Sequence, residues 1–255
     1  MRETAYAKIN LALHVRERMA NGYHRIETLF AFCEDGDVLT AEPAGSLSLA
    51  VTGPFAADLA EVPDNLVLKA ARALGGTAAL TLEKRLPVAA GLGGGSADAA
   101  AALRLLGAGR PLDAIAARLG ADAPACLLSR TARGEGRGDR ITPLEIDGLS
   151  GAPVLLVNPR IPLATASVFQ AWDGTDRGPL GDWREGRNDL EAPARRLVPA
   201  IAEALAALAD AEIARMSGSG ATCFGLYDSD AQRDAAAAAI AAAHPGWWTL
   251  ATRLR

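Results

Sequence analysis

Lysine is nearly absent from this chain: Lys8, Lys69 and Lys84 are the three among 26 basic residues, and the rest are arginine. Against 30 acidic residues the formal charge is −4, and no run of one sign is long enough to form a charged tail. Nucleic acid is therefore not an expected partner, because holding its backbone takes a concentrated basic surface. Cysteine is scarce too. Cys33, Cys126 and Cys223 are odd in number, far apart and without C-x-x-C spacing, so neither a disulfide framework nor a zinc site is expected, and no other metal-ligating pattern stands out. No apolar stretch approaches the ~20 residues that cross a bilayer. The alanine-rich segment 235–243 reads as a surface helix. Met1 is followed by polar residues and a strand-like pattern rather than a secretory signal, so the expected setting is the cytoplasm, with no membrane partner.

What the chain does have is apolar bulk, half of its 255 residues, enough for one large domain or two modest ones. From Ala5 to Val15 the pattern alternates, setting Ala5, Ala7, Ile9, Leu11, Leu13 and Val15 against Tyr6, Lys8, Asn10 and His14, as a strand with one polar face does. Asn21-Gly22 supplies turn chemistry and 26–32 resumes an extended apolar run, which predicts a hairpin. Asp64 and Asn65 are placed to cap a helix running to about Leu74, and 79–82 reads as a strand. A glycine-rich loop over 87–98 opens into an alanine- and leucine-rich helix ending near Gly107. A second helix spans about 111–119, and a third starts at Asp122 with Pro124 in its first turn. Gly134, Gly136 and Gly138 read as a loop, 154–157 as a short buried strand, and 159–186 as the longest irregular stretch. Asn188, with Glu191 in capping-box position, predicts a helix from Asp189 to about Ala209. A second glycine-rich loop, 215–222, leads into a strand at 223–227 and a final helix. Strands and helices are mixed rather than strictly alternating, so the expected class is α+β. The expected boundary divides residues 1–150 from residues 151–255.

The first glycine loop carries the strongest chemistry. Adjacent glycines let backbone amides turn toward a ligand, and the helix that follows adds its positive end, which makes a phosphate cradle. A plain strand-to-helix turn is the bland alternative, disfavoured by the backbone entropy that so many glycines cost. A P-loop is excluded because no lysine follows the glycines. A dinucleotide fingerprint is nearly present in Gly91, Gly93 and Ser96, yet Asp113 opens a helix instead of ending a strand. Lys8 and Asn10 project from one strand face; they either enter a pocket or decorate an exposed edge. Asp122 either caps its helix or serves as a base, and His24 is equally at home as a turn residue.

Taken together, these segments resemble the galactokinase, homoserine kinase, mevalonate kinase and phosphomevalonate kinase superfamily. The matching pieces are Ala7-Lys8-Ile9-Asn10-Leu11, Asn21-Gly22-Tyr23-His24, Leu86-Pro87 through Ala100, Gly120 to Pro124, Asn188 to Glu191, and Met216 to Thr222. They occur in family order across nearly the whole chain. The first two pieces resemble the branch acting on a cytidine-diphosphate-linked methylerythritol. The resemblance implies a two-domain α+β kinase fold with ATP and substrate in the cleft between domains, and phosphorylation of that alcohol's 2-hydroxyl on the non-mevalonate route to isoprenoid precursors. It implies Asp122 as general base and Lys8 as the cation that orients it and stabilises the transferring group. It places Asn65 near the adenine and wraps Val88, Ala89, Ala90, Gly91, Leu92, Gly93, Gly94, Gly95, Ser96, Ala97 and Asp98 around the triphosphate. Asn10, Tyr23 and His24 are implied at the cytidine end, with Phe30, Phe169 and Thr165 about the same pocket. Mg2+ is implied as a passenger on ATP, since the chain supplies no evident cage. One departure is that Ser96 is followed by Ala97 where many members carry a second serine, leaving Ser96 as the candidate hydroxyl. Two alternatives remain open: a kinase of the same superfamily acting on mevalonate, homoserine or a sugar, and a nucleotide sensor without turnover.

Overall fold

A computed structural model describes residues 1–59 and 65–255. Strands β1 (Arg2–Arg18) and β2 (His24–Pro43) form a long antiparallel hairpin across the Asn21-Gly22 turn. β2 runs well past the expected end at residue 32. The polar stretch 34–37 interrupts the apolar pattern, yet the backbone ladder carries through it, with Tyr6 opposite Gly36. Strands β3 (Ser48–Thr52), β4 (Ala78–Glu83), β5 (Ala132–Gly136) and β6 (Arg140–Pro143) complete a six-stranded sheet of order β3-β4-β2-β5-β6, with β1 on the other side of β2. The glycine stretch expected as a loop is therefore largely the β5–β6 hairpin. Gly134 sits in strand because the Phe30 ring packs over it; a Cβ there would lie 2.5 Å from Phe30 Cε2.

A second, fully antiparallel sheet of order β10-β7-β9-β8 is built from β7 (Pro153–Asn158), β8 (Ile213–Met216), β9 (Cys223–Leu226) and β10 (Trp248–Arg253). Helices α1 (Leu66–Ala73), α2 (Gly94–Leu106), α3 (Asp113–Leu119) and α4 (Ala123–Leu128) pack on the first sheet, around a core that includes Phe32, Leu80 and Leu103. α2 is the central one: residues 97–103 are buried without a break, the mark of a helix enclosed on all sides. Its alanines let neighbouring backbone approach closely. Helices α5 (Thr165–Gln170), α6 (Glu191–Leu197), α7 (Ala200–Ala207) and α8 (Asp230–Ala243) accompany the second sheet. A further core joins the two halves, with Ile9, Leu11, Leu86 and Leu92 against Leu156 and Phe224.

Three local expectations are corrected. The helix expected from Asp189 to Ala209 is two helices, because Pro199 lacks an N–H and pushes Val198 to φ −135°, ψ 88°. The N-cap of α6 is Leu190, without a side-chain cap bond. Asn188 instead accepts from Leu190 N at 3.0 Å and donates to Met216 O at 2.7 Å and Gly218 O at 2.8 Å, fastening the second glycine loop. The irregular stretch 159–186 contains α5. Asn65 caps α1 as expected, its side chain accepting from Val67 N, whereas Asp64 lies outside the described residues.

Candidate active site

The polar face of β1 is buried rather than exposed. Lys8 is 3 % and Asn10 2 % accessible, although β2 is the one strand that β1 pairs with among the described residues, apart from a bridge between Leu13 and Asn188, because the two glycine loops cover its free side. Lys8 N donates to Leu92 O at 3.0 Å and Asn10 N to Ser217 Oγ at 3.2 Å. Ser217 Oγ in turn donates to Gly91 O at 2.9 Å, and Thr222 N to Ala90 O at 3.2 Å, so the second glycine loop backs the first.

Lys8 Nζ lies 3.1 Å from Asp122 Oδ2 and donates to Asn10 Oδ1 at 2.8 Å. Asn10 Nδ2 donates to Thr28 Oγ1 at 2.8 Å, and Thr28 Oγ1 to Ala12 O at 2.6 Å. This chain of bonds holds the ammonium in place, with the Phe30 ring beneath it at 5.2 Å. Asp122 occupies the N-cap position of α4, yet its side chain makes no cap hydrogen bond. The capping alternative is therefore set aside. The Asp122 side chain is 36 % exposed against 4 % for Lys8, so the carboxylate reaches a cavity of about 900 Å³ while its partner stays dry.

The same cavity is bounded by the glycine loop. Gly93, at φ 63°, caps α2 without any side-chain bond, which leaves the first-turn amides at Gly94, Gly95 and Ser96 without intrahelical partners. Amides free at a helix start, beside a buried cation, fit the phosphates of a nucleotide. For magnesium the fit is partial. Among the described residues no group of three or more metal-ligating side chains converges, but Asp98 Oδ1 is buried without a partner and Asp98 borders the cavity. That donor set suits an ion carried in on phosphate oxygens rather than a protein cage.

The opposite end of the cavity is aromatic. His24 packs on Phe169 with ring centroids 4.8 Å apart and meets the edge of Trp172 at 5.6 Å. Burial, helped by the nearby Arg18 charge, lowers the His24 pKa. Arg18 Nε donates to His24 Nε2 at 3.3 Å, which needs a neutral ring with a bare Nε2. Tyr23 lies under the Arg137 guanidinium at 4.9 Å, and Thr165 Oγ1 is 2.9 Å from Ser219 Oγ.

Lys8, Asn10, Tyr23, His24, Thr165, Phe169 and Asp122 thus border one cavity with Val88, Ala89, Ala90, Gly91, Gly93, Gly94, Gly95, Ser96 and Asp98. Four expected residues do not border it. Phe30 is fully buried in the first core, where it supports Lys8 from below and cannot wall the pocket. Leu92 and Ala97 turn their side chains into the cores, so they contribute backbone only. The Asn65 side chain serves its helix, while its neighbour Leu66 borders the cavity.

Residue-by-residue reading missed one cluster. Lys84, 2 % accessible, bridges Asp37 and, at 3.0 Å, Asp98. Burial pushes the Asp98 carboxyl up to about 7, with the Lys84 charge opposing it. Burial works against the Lys84 ammonium, but the two carboxylates outweigh it and raise its pKa. The scarcity of lysine is a signal that could have found the cluster, since it marks Lys84 as much as Lys8. The cysteines need no role: all three are free, buried and held as thiols by that burial. No helix among the described residues is long and apolar enough to cross a membrane.

Comparison with known proteins agrees with the fold. Residues 65–130 match the GHMP kinases N terminal domain and residues 173–246 the GHMP kinases C terminal model. A protein of Rhizorhabdus wittichii named 4-diphosphocytidyl-2-C-methyl-D-erythritol kinase is 57% identical, over 99% of this chain and 94% of its own. A crystal structure of 4-(cytidine 5'-diphospho)-2C-methyl-D-erythritol kinase superposes with a TM-score of 0.83 at 34% identity, covering 100% of this chain and 99% of that one. A mevalonate kinase crystal structure, at TM-score 0.66 and 10% identity over 100% of this chain and 99% of its own, shares the fold alone. The chain belongs to the GHMP kinases, in the branch of the 4-diphosphocytidyl-2-C-methyl-D-erythritol kinases.

Proposed function

We propose that the chain transfers the γ-phosphoryl group of ATP to the 2-hydroxyl of 4-diphosphocytidyl-2-C-methyl-D-erythritol, the alcohol for which its relatives are named as kinases. The observation that carries the reading is the Lys8–Asp122 pair, 3.1 Å apart, at the junction of a glycine loop suited to phosphates and an aromatic end suited to a base. In this reading the acceptor hydroxyl sits against the exposed Asp122 carboxylate. Asp122 takes its proton as the new O–P bond forms and the bond from the γ-phosphorus to the β,γ-bridging oxygen breaks, leaving ADP. Such a base is worth on the order of 10² to 10⁴ in rate. The larger share comes from positioning and charge: Lys8, fixed by Asn10, keeps Asp122 oriented and faces the negative charge on the transferring group. The free amides at Gly94, Gly95 and Ser96 hold the phosphates in line. Mg2+ arriving on the nucleotide would neutralise further phosphate charge, with Asp98 and Ser96, both bordering the cavity, as candidate oxygens. His24, Tyr23, Phe169 and Thr165 hold the cytidine end, whereas Asn10, expected there, has its amide engaged by Lys8 and Thr28 beside Asp122, and a neutral His24 offers its remaining ring N–H to the base. Residues 1–150 would carry the nucleotide half and 151–255 the other, and the expected setting is the cytoplasm.

The test is coupled ADP release by the purified protein with ATP, Mg2+ and the cytidylated alcohol, beside mevalonate and homoserine. Turnover with the cytidylated alcohol alone is expected; preference for another alcohol overturns the substrate assignment. Asp122→Asn is expected to keep the fold and lose about 10²-fold or more of kcat, and near-normal turnover would remove Asp122 from the chemistry.

A further inference from the structure

The buried Lys84 cluster lies at both ends of the phosphate loop. Asp37 Oδ1 accepts from Arg85 N at 2.6 Å and Leu86 N at 2.8 Å, the two residues that lead into the loop at Pro87. Asp98 stands on α2, just beyond the loop's downstream end. Lys84 binds both carboxylates, and its ammonium is directly under the first residue of α2: a Cβ on Gly94 would lie 3.1 Å from Lys84 Nζ. Side-chain exposure is 2 % for Lys84, 0 % for Asp37 and 4 % for Asp98, far too little for a solvated surface network. Between the two ends, Ala89, Gly91 and Gly93 have φ of 53°, 76° and 63°. A backbone held in the left-handed region at a non-glycine residue persists only when its surroundings impose it.

We propose that Lys84 is a positioning residue for the nucleotide: by tying Asp37 upstream to Asp98 downstream, its ammonium sets the spacing of the loop's two ends and so the placement of the phosphate-binding amides. The proposal rests on the kinase reading above and adds to it a residue that need not touch the nucleotide. Burying one ammonium between two carboxylates is a weak source of stability in general, which makes position rather than stability the expected benefit.

The test measures ATP affinity by calorimetry with EDTA in place of Mg2+, so that a metal contact of Asp98 does not enter, and both Michaelis constants at pH 8 for wild type, Lys84→Met, Asp98→Ala and Asp98→Asn. Lys84→Met leaves two buried carboxylates facing each other and risks failing to fold. Asp98→Ala cuts the downstream tie while keeping the Lys84–Asp37 pair, and it decides the matter if Lys84→Met does not fold. Loss of a charge-assisted bond predicts about tenfold weaker ATP binding in Asp98→Ala, with the Michaelis constant for the cytidylated alcohol changed less than about twofold. Asp98→Asn, whose amide oxygen still accepts from Lys84, should recover most of the loss. Unchanged ATP affinity in Asp98→Ala, an equal rise in both Michaelis constants, or no recovery in Asp98→Asn overturns the proposal. Wild type that binds ATP but turns over no alcohol would overturn the kinase reading while the tie is still read by the dissociation constants. Wild type that fails to bind ATP overturns both.

Discussion

Replacing Gly93 by alanine probes whether the phosphate loop and the Lys8–Asp122 pair form one machine. Two penalties act there. At φ 63° an alanine pays about 1–2 kcal/mol for the left-handed backbone. Its Cβ would also lie 2.9 Å from Lys8 Cε, 3.4 Å from Lys8 Cβ and 3.6 Å from Asp122 Oδ2. Lys8 is not free to swing aside, because Nζ is held at 2.8 Å by Asn10 and 3.1 Å by Asp122, so relief comes only by moving the ammonium or lifting the loop. Gly75→Ala separates the two effects: its φ is 65°, yet a Cβ there meets nothing within 4 Å. Gly75→Ala should lose about 1–2 kcal/mol in urea unfolding, a fall in Tm of about 2–4 °C per kcal/mol for a chain of this size, and Gly93→Ala should lose more by the cost of its contact with Lys8. Gly93→Ala alone should lose about 100-fold in kcat, the scale of a displacement near 1 Å at a reacting centre. If Gly93→Ala matched Gly75→Ala in turnover as well as in stability, the contact between loop and pair would have no part in catalysis.

Lys8→Ala should fold and lose most turnover, and since Asn10 and Asp122 each lose a partner, ATP and alcohol turnover together report the change in a coupled assay. His24→Ala should raise the Michaelis constant for the cytidylated alcohol more than that for ATP; equal rises would contradict the aromatic end as the base pocket. Because burial depresses the His24 pKa from its usual 6.5, the ring is neutral at pH 7 and above. Affinity for that alcohol should therefore be flat from neutral to mildly alkaline pH and fall as the pH drops below the usual histidine range, a dependence that His24→Ala should abolish in kcat/KM profiles. Asn188→Ala leaves Met216 O, Gly218 O and Leu190 N without their side-chain partner; a loss of about 1–3 kcal/mol is expected in urea unfolding, and a variant as stable as wild type would show that water replaces the amide.

The local reading succeeded where the cause is local. Alternation over 5–15, the Asn21-Gly22 turn and glycines followed by an alanine-rich stretch each act over a few residues, and β1, its turn and α2 stand where they were expected. Pro199 was a local signal left unread, and it breaks the helix for the ordinary reason that proline cannot donate. Distant partners were another matter. Resemblance paired Lys8 with Asp122, but spacing alone left each with an innocuous alternative, and only packing of α4 beside β1 brings them to 3.1 Å. Nothing near Phe30 in the chain says that Gly134 will leave room for its ring and bury it under Lys8. Nothing near Lys84 names Asp37 and Asp98 as its partners. Composition and short-range stereochemistry thus settled the elements, the glycine loop and the kind of chemistry available, because those depend on dihedral preference and periodicity. Which charges meet, which stay dry and which face the cavity was decided by the tertiary fold, because desolvation and ion pairing depend on neighbours that only long-range packing supplies.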